Sequence, residues 1–183
     1  MAIQEESGNV NRSHKGLVQV YTGPGKGKTT AALGLALRAV GHDFRVIMIR
    51  FFERDFSYGE HLFVSKYQPF EIVRLNQRKS ATLSREERRS LAQKTLAFAE
   101  GVLLEGDYNL VILDDILDAV EMEAIGVEDI VRLITARPQW VELVLTGRSA
   151  PPEIMKRADL VTEMLMIKHP FSEGTGPRKG IDY

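Results

Sequence analysis

Short apolar runs alternate along the chain with longer segments whose apolar residues recur at helical spacing. Runs of about four to eight residues rich in Val, Ile, Leu, Tyr and Phe are typical of β-strands. A run that is apolar throughout indicates a strand covered on both faces of its sheet. Six such runs predict strands at residues 17–21, 45–52, 70–75, 110–113, 141–146 and 160–167.

The intervening segments predict helices. The clearest helix is 84–104, where Ser84 and Glu87 form a capping box and apolar residues follow at helical spacing. Residues 29–40 are apolar on nearly every side, which is typical of a buried helix, and Gly41 is suited to end it. Weaker helical patterns cover two further segments, 127–135 and the residues that follow Pro151-Pro152.

Strands that alternate with helices of this length are typical of β-α crossovers and parallel strand pairing. We therefore predict an α/β fold, a single domain whose mostly parallel six-stranded sheet has helices on both faces. The domain is expected to span residues 16–183. Residues 1–15 are polar and aperiodic, and we interpret them as a flexible N-terminal arm.

Composition narrows the class of protein. A chain of 183 residues suits one domain, and the absence of cysteine excludes disulfides, thiolate metal sites and a cysteine nucleophile. A formal net charge of −1 argues against general nucleic-acid binding, and no apolar run approaches the ~18 residues of a membrane span. The N-terminal residues lack the apolar core of a secretory signal. We expect a cytoplasmic protein without nucleic-acid or membrane partners.

A glycine-rich segment between the first strand and the first helix carries the strongest chemical signal. It reads Thr22-Gly23-Pro24-Gly25-Lys26-Gly27-Lys28-Thr29-Thr30. Glycines let backbone N–H groups turn toward anionic oxygens, and the following helix adds its N-terminal donors and dipole. Lys28 offers a mobile positive charge to a phosphate chain, and Thr29 offers a hydroxyl to Mg²⁺. The segment therefore predicts a nucleotide-binding loop.

The spacing of this loop departs from the common P-loop pattern. G-x-x-x-x-G-K-[ST] requires glycine at position 22, where the chain has Thr22. Counting from Gly23 instead leaves the loop one residue short. We expect a tighter loop to hold a polyphosphate in a different register, which favours chemistry other than hydrolysis of the γ-phosphate. A glycine-rich turn without a ligand is the alternative interpretation.

The strand at 110–113 is the second candidate element, because it runs directly into Asp114 and Asp115. A buried strand delivers the carboxylates at its C-terminal end to the ligand crevice, where they hold Mg²⁺ directly or through water. Together with the loop, this pattern predicts a metal site formed by Thr29, Asp114 and Asp115. We interpret Asp118, which follows closely in the sequence, as part of a solvated turn.

Two blocks of the sequence resemble the P-loop type of corrinoid (cobalamin) adenosyltransferase. The first block contains the loop and covers about residues 15–52, and the second covers about residues 108–183. The likeness is more specific than a P-loop alone, because four separate segments of the second block also match. These segments are Thr146-Gly147-Arg148, Ala158-Asp159-Leu160-Val161-Thr162-Glu163-Met164, Lys168-His169-Pro170-Phe171 and Gly180-Ile181-Asp182-Tyr183.

The resemblance implies a homodimeric transferase of the RecA-like, P-loop NTPase fold. It implies ATP and Mg²⁺, with cob(I)alamin or another reduced corrinoid as the second substrate and a flavoprotein reductase as a candidate partner. In the family, cobalt(I) attacks C5′ of ATP and releases triphosphate, so no side chain is expected to act as a nucleophile. The family binds ATP in the reverse sense, with the γ-phosphate where α lies in ordinary P-loop enzymes, and the short loop fits that arrangement.

The resemblance also assigns residues. The ATP-binding set that it implies is Thr22, Gly23, Gly25, Lys26, Gly27, Lys28, Thr29, Thr30 and Arg148. Asp115 stands where the family has glutamate, so its carboxylate reaches about one methylene less far. Gly59-Glu60 matches a Gly-Glu pair that follows the second strand of the family.

The middle of the chain departs from the family. The family usually reads Gln-Phe-hydrophobic-Lys-Gly after its second strand, whereas this chain reads Arg50-Phe51-Phe52-Glu53-Arg54. The family's Gly-Phe-Thr-Trp segment, whose aromatic side chains lie against the corrinoid, has no counterpart at residues 74–83. The corrinoid-binding residues are therefore unassigned. A non-catalytic ATP-binding paralogue is the alternative function, and an ordinary ATPase or kinase is the third.

A cluster of basic residues lies in the same region. Its pattern is that of a solvated surface, with an anion site for corrinoid side chains or an acidic partner as the alternative. The cluster consists of Arg74, Arg78, Lys79, Arg85, Arg88 and Arg89.

Overall fold

The computed structural model describes residues 10, 12–13, 15–52, 58–75 and 82–183. The predicted alternation of strands and helices is confirmed. Most of the predicted arm at 1–15, together with Arg78 and Lys79 of the basic cluster, lies outside the described residues. The elements are β1 (Val18–Thr22), α1 (Lys28–Val40), β2 (Val46–Arg50), α2 (Gly59–Tyr67), β3 (Glu71–Val73), α3 (Arg85–Glu105), β4 (Leu110–Asp114), α4 (Ile116–Glu121), α5 (Val127–Ala136), β5 (Glu142–Thr146), α6 (Pro152–Met155), β6 (Leu160–Glu163) and a 3-10 helix (Pro170–Glu173).

The six strands form one sheet in the order β3-β2-β4-β5-β1-β6, and every pairing is parallel. Parallel pairing brings the C-terminal ends of all strands to one edge of the sheet, where ligands of open α/β folds bind. Strand β5 separates β1, which runs into the glycine-rich loop, from β4, which ends at Asp114. The two candidate elements therefore meet across the end of β5.

Alternate residues of the strands contribute to two apolar layers, one on each face of the sheet. Helix α1 covers one face, where Ala32 and Ala36 pack with strand residues such as Met48 and Ile112. Helices α3, α4, α5 and α6 cover the other face. The prediction of helices on both faces is confirmed, and this coverage explains why the strands read as continuous apolar runs.

Helix α1 differs from the expectation drawn from its apolar sequence. Within this helix Ala32 and Ala36 are the buried residues, whereas Leu37 is 65% exposed. The prediction that α1 is buried on nearly every side is therefore wrong, because one sheet covers only one side of it. Gly41 follows the helix as predicted but keeps a right-handed conformation, with φ −63°, and the positive φ occurs at Asp43.

The sequence pattern does not predict helices α2 and α4. Helix α2 has no buried residue and begins after Tyr58, which is not a capping residue type. Helix α4 has six residues and begins after Asp115, which has a left-handed φ of 61°. Neither helix is long or amphipathic enough to produce a periodic signal.

The predicted bounds of the other elements shift by a few residues. Strand β6 ends at Glu163, so the strand predicted at 160–167 is too long. The predicted capping box of α3 is present, since Glu87 N donates to Ser84 Oγ at 3.1 Å and Ser84 N donates to Glu87 Oε2 at 2.8 Å. None of the helices in the described ranges combines the length and apolar character that crossing a lipid bilayer requires.

Candidate nucleotide site

The glycine-rich loop packs against the segment that follows β6. Gly25 N donates to Met164 O at 2.6 Å, and Met164 N donates to Thr22 O at 2.8 Å. A Cβ on Gly25 would lie 2.5 Å from Met164 O, and a Cβ on Gly23, whose φ is +99°, would lie equally close to that oxygen. Any larger residue at either position would displace backbone, so packing alone requires both glycines.

Lys28 is the first residue of α1, and its ammonium folds back over the loop. Lys28 Nζ donates to Gly23 O and Gly25 O, at 2.7 Å each. Gly27, with φ +117°, turns the chain into α1, whose first N–H groups have no acceptors within the helix. An anionic oxygen placed here can accept from the ammonium and from these N–H groups together, which is the chemistry of a phosphate site.

Lys26, the other lysine of the loop, contacts the C-terminal tail. Its ammonium forms an ion pair with the Asp182 carboxylate and donates to Ile181 O at 3.3 Å. Arg178 donates to Asp182 Oδ2 through its backbone N and through Nε, at 2.9 Å each. The hydrogen bonds from Arg178, followed by that from Lys26, hold the pKa of Asp182 well below its usual range. A phosphate that approaches Lys26 therefore meets a lysine that already has a carboxylate partner.

Asp114 lies at the end of β4, and both of its carboxylate oxygens accept hydrogen bonds. Oδ1 accepts from Thr29 Oγ1 at 3.0 Å and from Thr146 Oγ1 at 2.8 Å, and Oδ2 accepts from Arg50 Nε at 3.1 Å. Asp114 is 1% exposed. The structure thus brings the loop residue Thr29 and the acid Asp114 together, as the sequence predicts.

Thr146, at the end of β5, connects the two acids of the candidate metal site. Its hydroxyl donates to Asp114 and accepts from the backbone N of Asp115 at 2.9 Å. Asp115 has a left-handed conformation that aspartate tolerates better than most residues do. In the sequence, Thr146 only ends a predicted strand and belongs to a segment that matches the family. A threonine that closes an apolar strand at the ligand edge is the signal that could have identified it.

The oxygen atoms gathered here suit Mg²⁺. Among the described residues, no group of three or more His, Asp or Glu side chains is arranged to hold a metal ion. Mg²⁺ does not require such a group, because it keeps several waters and is held by one or two carboxylates together with phosphate oxygens. The Thr29 hydroxyl uses its proton on Asp114 and so retains lone pairs for a cation. Thr29 and Asp114 therefore offer oxygens of the kind that this ion takes, and the role of Asp115 as a ligand stays a prediction.

Arg148 and Asp118 support the loop from the side. Gly23 N donates to Arg148 O at 3.0 Å, and Arg148 N donates to Asp118 Oδ1 at 2.6 Å. The interpretation of Asp118 as part of a solvated turn is wrong, because the residue is 8% exposed in α4 and packs under Gly147. The side chains of Arg148 and Thr30 are exposed, so they lie at the surface of the site.

Arg50 is a buried residue of this site that sequence reasoning did not select. Besides Asp114, it contacts Glu60 Oε1 through Nη2 at 3.0 Å and His61 Nε2 through Nη1 at 3.1 Å. Its Cζ lies 4.7 Å from the centroid of the Tyr58 ring. A charged residue that closes an apolar strand beside an acid-ended strand is the pattern that could have identified Arg50.

His61 is held in the neutral form. Burial is the main cause, and the positive charges of Arg50 and Arg74 add to it, so the pKa of His61 falls to about 4 against the opposing effect of Asp114. An arginine side chain has no acceptor, so His61 Nε2 must accept the hydrogen bond from Arg50. Protonation of His61 would therefore break this contact.

We expect the stability of the protein to fall as the pH is lowered from 6.5 toward about 4. In this window the unfolded chain protonates His61 while the folded protein does not, so acid favours the unfolded state. His61→Gln keeps a hydrogen-bond acceptor near the position of Nε2 but does not titrate. The free energy of unfolding of this variant should therefore depend less on pH. Urea unfolding at about pH 7 and about pH 4.5 measures the effect. An equally steep loss in H61Q would show that other groups cause it.

The family model of the ATP:corrinoid adenosyltransferase BtuR/CobO/CobP matches residues 14–183. The corrinoid adenosyltransferase of Pseudomonas aeruginosa is 32% identical, and the match covers 100% of this chain and 91% of the relative. That of Escherichia coli K12 is 31% identical, with 94% and 88% covered. A KaiC-like protein of Pyrococcus horikoshii has a TM-score of 0.54 at 14% identity, covering 89% of this chain and 82% of that one, which supports the P-loop, RecA-like fold.

Proposed function

Since the chain belongs to the ATP:corrinoid adenosyltransferase family, we propose that it transfers the 5′-deoxyadenosyl group of ATP to cobalt(I) of a reduced corrinoid, cob(I)alamin being the first candidate. The bond between C5′ and the triphosphate oxygen breaks, and triphosphate leaves with its electron pair. Cobalt(I) supplies both electrons of the new Co–C bond. No side chain needs to act as a nucleophile, so the protein contributes binding, orientation and charge neutralisation.

The hydrogen bond between Thr29 and Asp114 carries this proposal, because it joins the phosphate loop to the acid strand at one point. We expect the first N–H groups of α1 and the Lys28 ammonium, which contacts the loop carbonyls, to hold the triphosphate that becomes the leaving group. Mg²⁺, when bound, would offset part of the negative charge of that group. We assign Thr29, Asp114 and Asp115 to hold it.

Product analysis tests the proposal. Incubation with ATP, Mg²⁺ and chemically reduced cobalamin under anaerobic conditions should give adenosylcobalamin and triphosphate in equal amounts. ATP binding without any Co–C product from several corrinoids would favour the non-catalytic paralogue, which the family matches do not favour. Formation of ADP and phosphate without corrinoid would indicate an ATPase instead.

The two substrates suggest where the enzyme acts and which partner it needs. ATP is abundant in the cytoplasm, so we propose that the enzyme works there. Cobalt(I) is strongly reducing and must be generated close to its use, for which a flavoprotein reductase is our proposed partner.

We further propose that the enzyme is a homodimer that forms through an apolar edge surface, defined by β6 and the exposed apolar residues that follow it. All four residues of β6 are exposed at the edge of the sheet. A sheet edge beside a large exposed apolar patch is typical of a protein interface. The apolar residues of this surface are Leu160, Val161, Leu165, Met166, Ile167, Phe171 and Ile181.

A charge placed on the apolar edge surface should prevent dimer formation. Ile167 is 88% exposed, so Ile167→Glu should leave the fold of the protomer intact while burying an unpaired carboxylate in the dimer. We expect the dimer dissociation constant to rise by at least about 100-fold, which sedimentation velocity would detect. Leu104→Glu, at a leucine of α3 that is 61% exposed, is the matched control. A monomeric wild type, or a dimer that persists in I167E, would contradict the proposal.

A further inference from the structure

The guanidinium of Arg50 connects three elements at the ligand edge of the sheet. Arg50 and Asp114 are direct partners in the parallel register of β2 and β4, so their side chains leave adjacent strand ends. Nε donates to Asp114, and the two terminal nitrogens donate to Glu60 and His61 in the first turn of α2. The planar fork of arginine holds these acceptors in one fixed arrangement.

Because Arg50 and Asp114 are both buried, each charge needs the other as its partner. The side chains of Arg50 and Asp114 are 4% and 1% exposed, and a buried charge is costly unless it is paired. Without the guanidinium, the carboxylates of Asp114, Asp115 and Glu60 would share one corner of the site with no compensating side chain of β2. Arg50 is therefore the buried positive charge that pairs with Asp114, and its hydrogen bond fixes the orientation of that carboxylate.

Helix α2 depends on the same side chain. No residue of α2 is buried, so apolar packing contributes little to holding it. Its first turn instead meets Arg50 through Glu60 and His61, and the ring of Tyr58, just before the helix, lies against the guanidinium. The placement of α2 and the orientation of Asp114 thus share one anchor.

We propose that Arg50 is a positioning residue of the nucleotide site, which fixes the Asp114 carboxylate so that Oδ1 faces Thr29 and links this orientation to the first turn of α2. The inference rests on the proposed ATP-binding function. Because Oδ2 is held by Arg50 Nε, the carboxylate does not rotate away from the Thr29 hydroxyl. Thr29 then presents its lone pairs to the Mg²⁺ that accompanies ATP. Arg50 thereby controls the gain in ATP affinity that Mg²⁺ provides.

Calorimetry without corrinoid tests this role, with ATP titrated in Mg²⁺ and in EDTA. In Arg50→Gln, whose amide cannot make the three contacts of the guanidinium, we expect the Mg²⁺-dependent gain in ATP affinity to fall by about tenfold, ~1.4 kcal/mol. Affinity in EDTA should stay within about threefold, because the loop amides and Lys28 are unchanged. Arg50→Lys keeps the positive charge but not the planar guanidinium, and it should lose part of the Mg²⁺-dependent gain in ATP affinity. It also provides the test if R50Q does not fold.

The double variant Arg50→Gln with Asp114→Asn should lose no more of the Mg²⁺ gain than Asp114→Asn alone, since Arg50 acts through Asp114. Arg132→Gln removes an arginine whose side chain is 65% exposed in an ion pair with Asp129, and it should match the wild type. An unchanged gain in R50Q, or an equal loss in Mg²⁺ and EDTA, would overturn the positioning role alone. A wild-type protein that binds no ATP would overturn the proposed function as well.

Discussion

Replacing Lys28 by alanine should lower ATP affinity by at least about 100-fold, ~2.7 kcal/mol, while the protein keeps its fold. The Lys28 ammonium is the positive charge that lies directly over the loop carbonyls of Gly23 and Gly25. Bound triphosphate would replace these neutral acceptors with anionic oxygens, and charge-assisted hydrogen bonds are roughly twice as strong as neutral ones. The alanine variant cannot form these charge-assisted hydrogen bonds, so it loses their whole contribution to ATP binding. Alanine is also the best helix former, so the first turn of α1 should persist.

Two measurements separate binding from folding in this variant. Calorimetry gives the ATP affinity, and thermal denaturation with and without ATP gives the stabilisation that binding provides. We expect the ATP-dependent rise in melting temperature to disappear in K28A, while the melting temperature of the free protein changes little. Lys94→Ala, at an exposed lysine of α3, is the matched control and should behave as the wild type. Wild-type affinity in K28A would refute the assignment of this loop as the phosphate site.

The fold was predictable from the sequence because its signals are local. Each buried strand reads as an apolar run, and the capping box at Ser84 marks the start of α3. The phosphate loop is equally local, since its glycines and lysines are contiguous in the chain. The pairing of Thr29 with Asp114 required one further step, the rule that parallel strands end at a common edge.

The parts that could not be predicted depend on contacts between distant residues. Thr146 matters because β5 lies between β1 and β4, and strand order is not readable from apolar runs. Asp118 is buried because Gly147 approaches it closely, which no pattern around Asp118 records. Helix α2 is held by polar contacts with Arg50 instead of an apolar face, so it produces no hydrophobic periodicity.

Lys26 is a predicted site residue whose contacts, too, could not be predicted from the sequence. The motif treats the two lysines of the loop alike, whereas the structure gives them different partners. Lys28 contacts the loop itself, and Lys26 contacts Asp182, which is 156 residues away in the chain. Of the two, Lys28 is therefore the lysine whose charge lies over the loop where we place the phosphates.

Asp114→Asn should affect stability and catalysis together. The asparagine amide is uncharged and cannot form an ion pair with Arg50, and breaking a buried ion pair on one side costs about 3–5 kcal/mol. For a chain of this size, even about 3 kcal/mol lowers the melting temperature by about 6–12 °C. The amide also presents either a carbonyl or an NH₂ group to Thr29, and a misplaced hydroxyl at a reacting site can cost about 100-fold in kcat/KM. We expect both losses in the same protein.

Asp43→Asn is the matched control for Asp114→Asn. Asp43 is exposed and has φ 60°, a left-handed conformation that asparagine also adopts readily, so the same chemical change should be nearly neutral there. Calorimetric melting and initial rates of adenosylcobalamin formation are the two measurements. A lowered melting temperature with full activity would make Asp114 a purely structural partner of Arg50. Full stability with lost activity would show that the ion pair contributes little, and that the carboxylate acts through Thr29 alone.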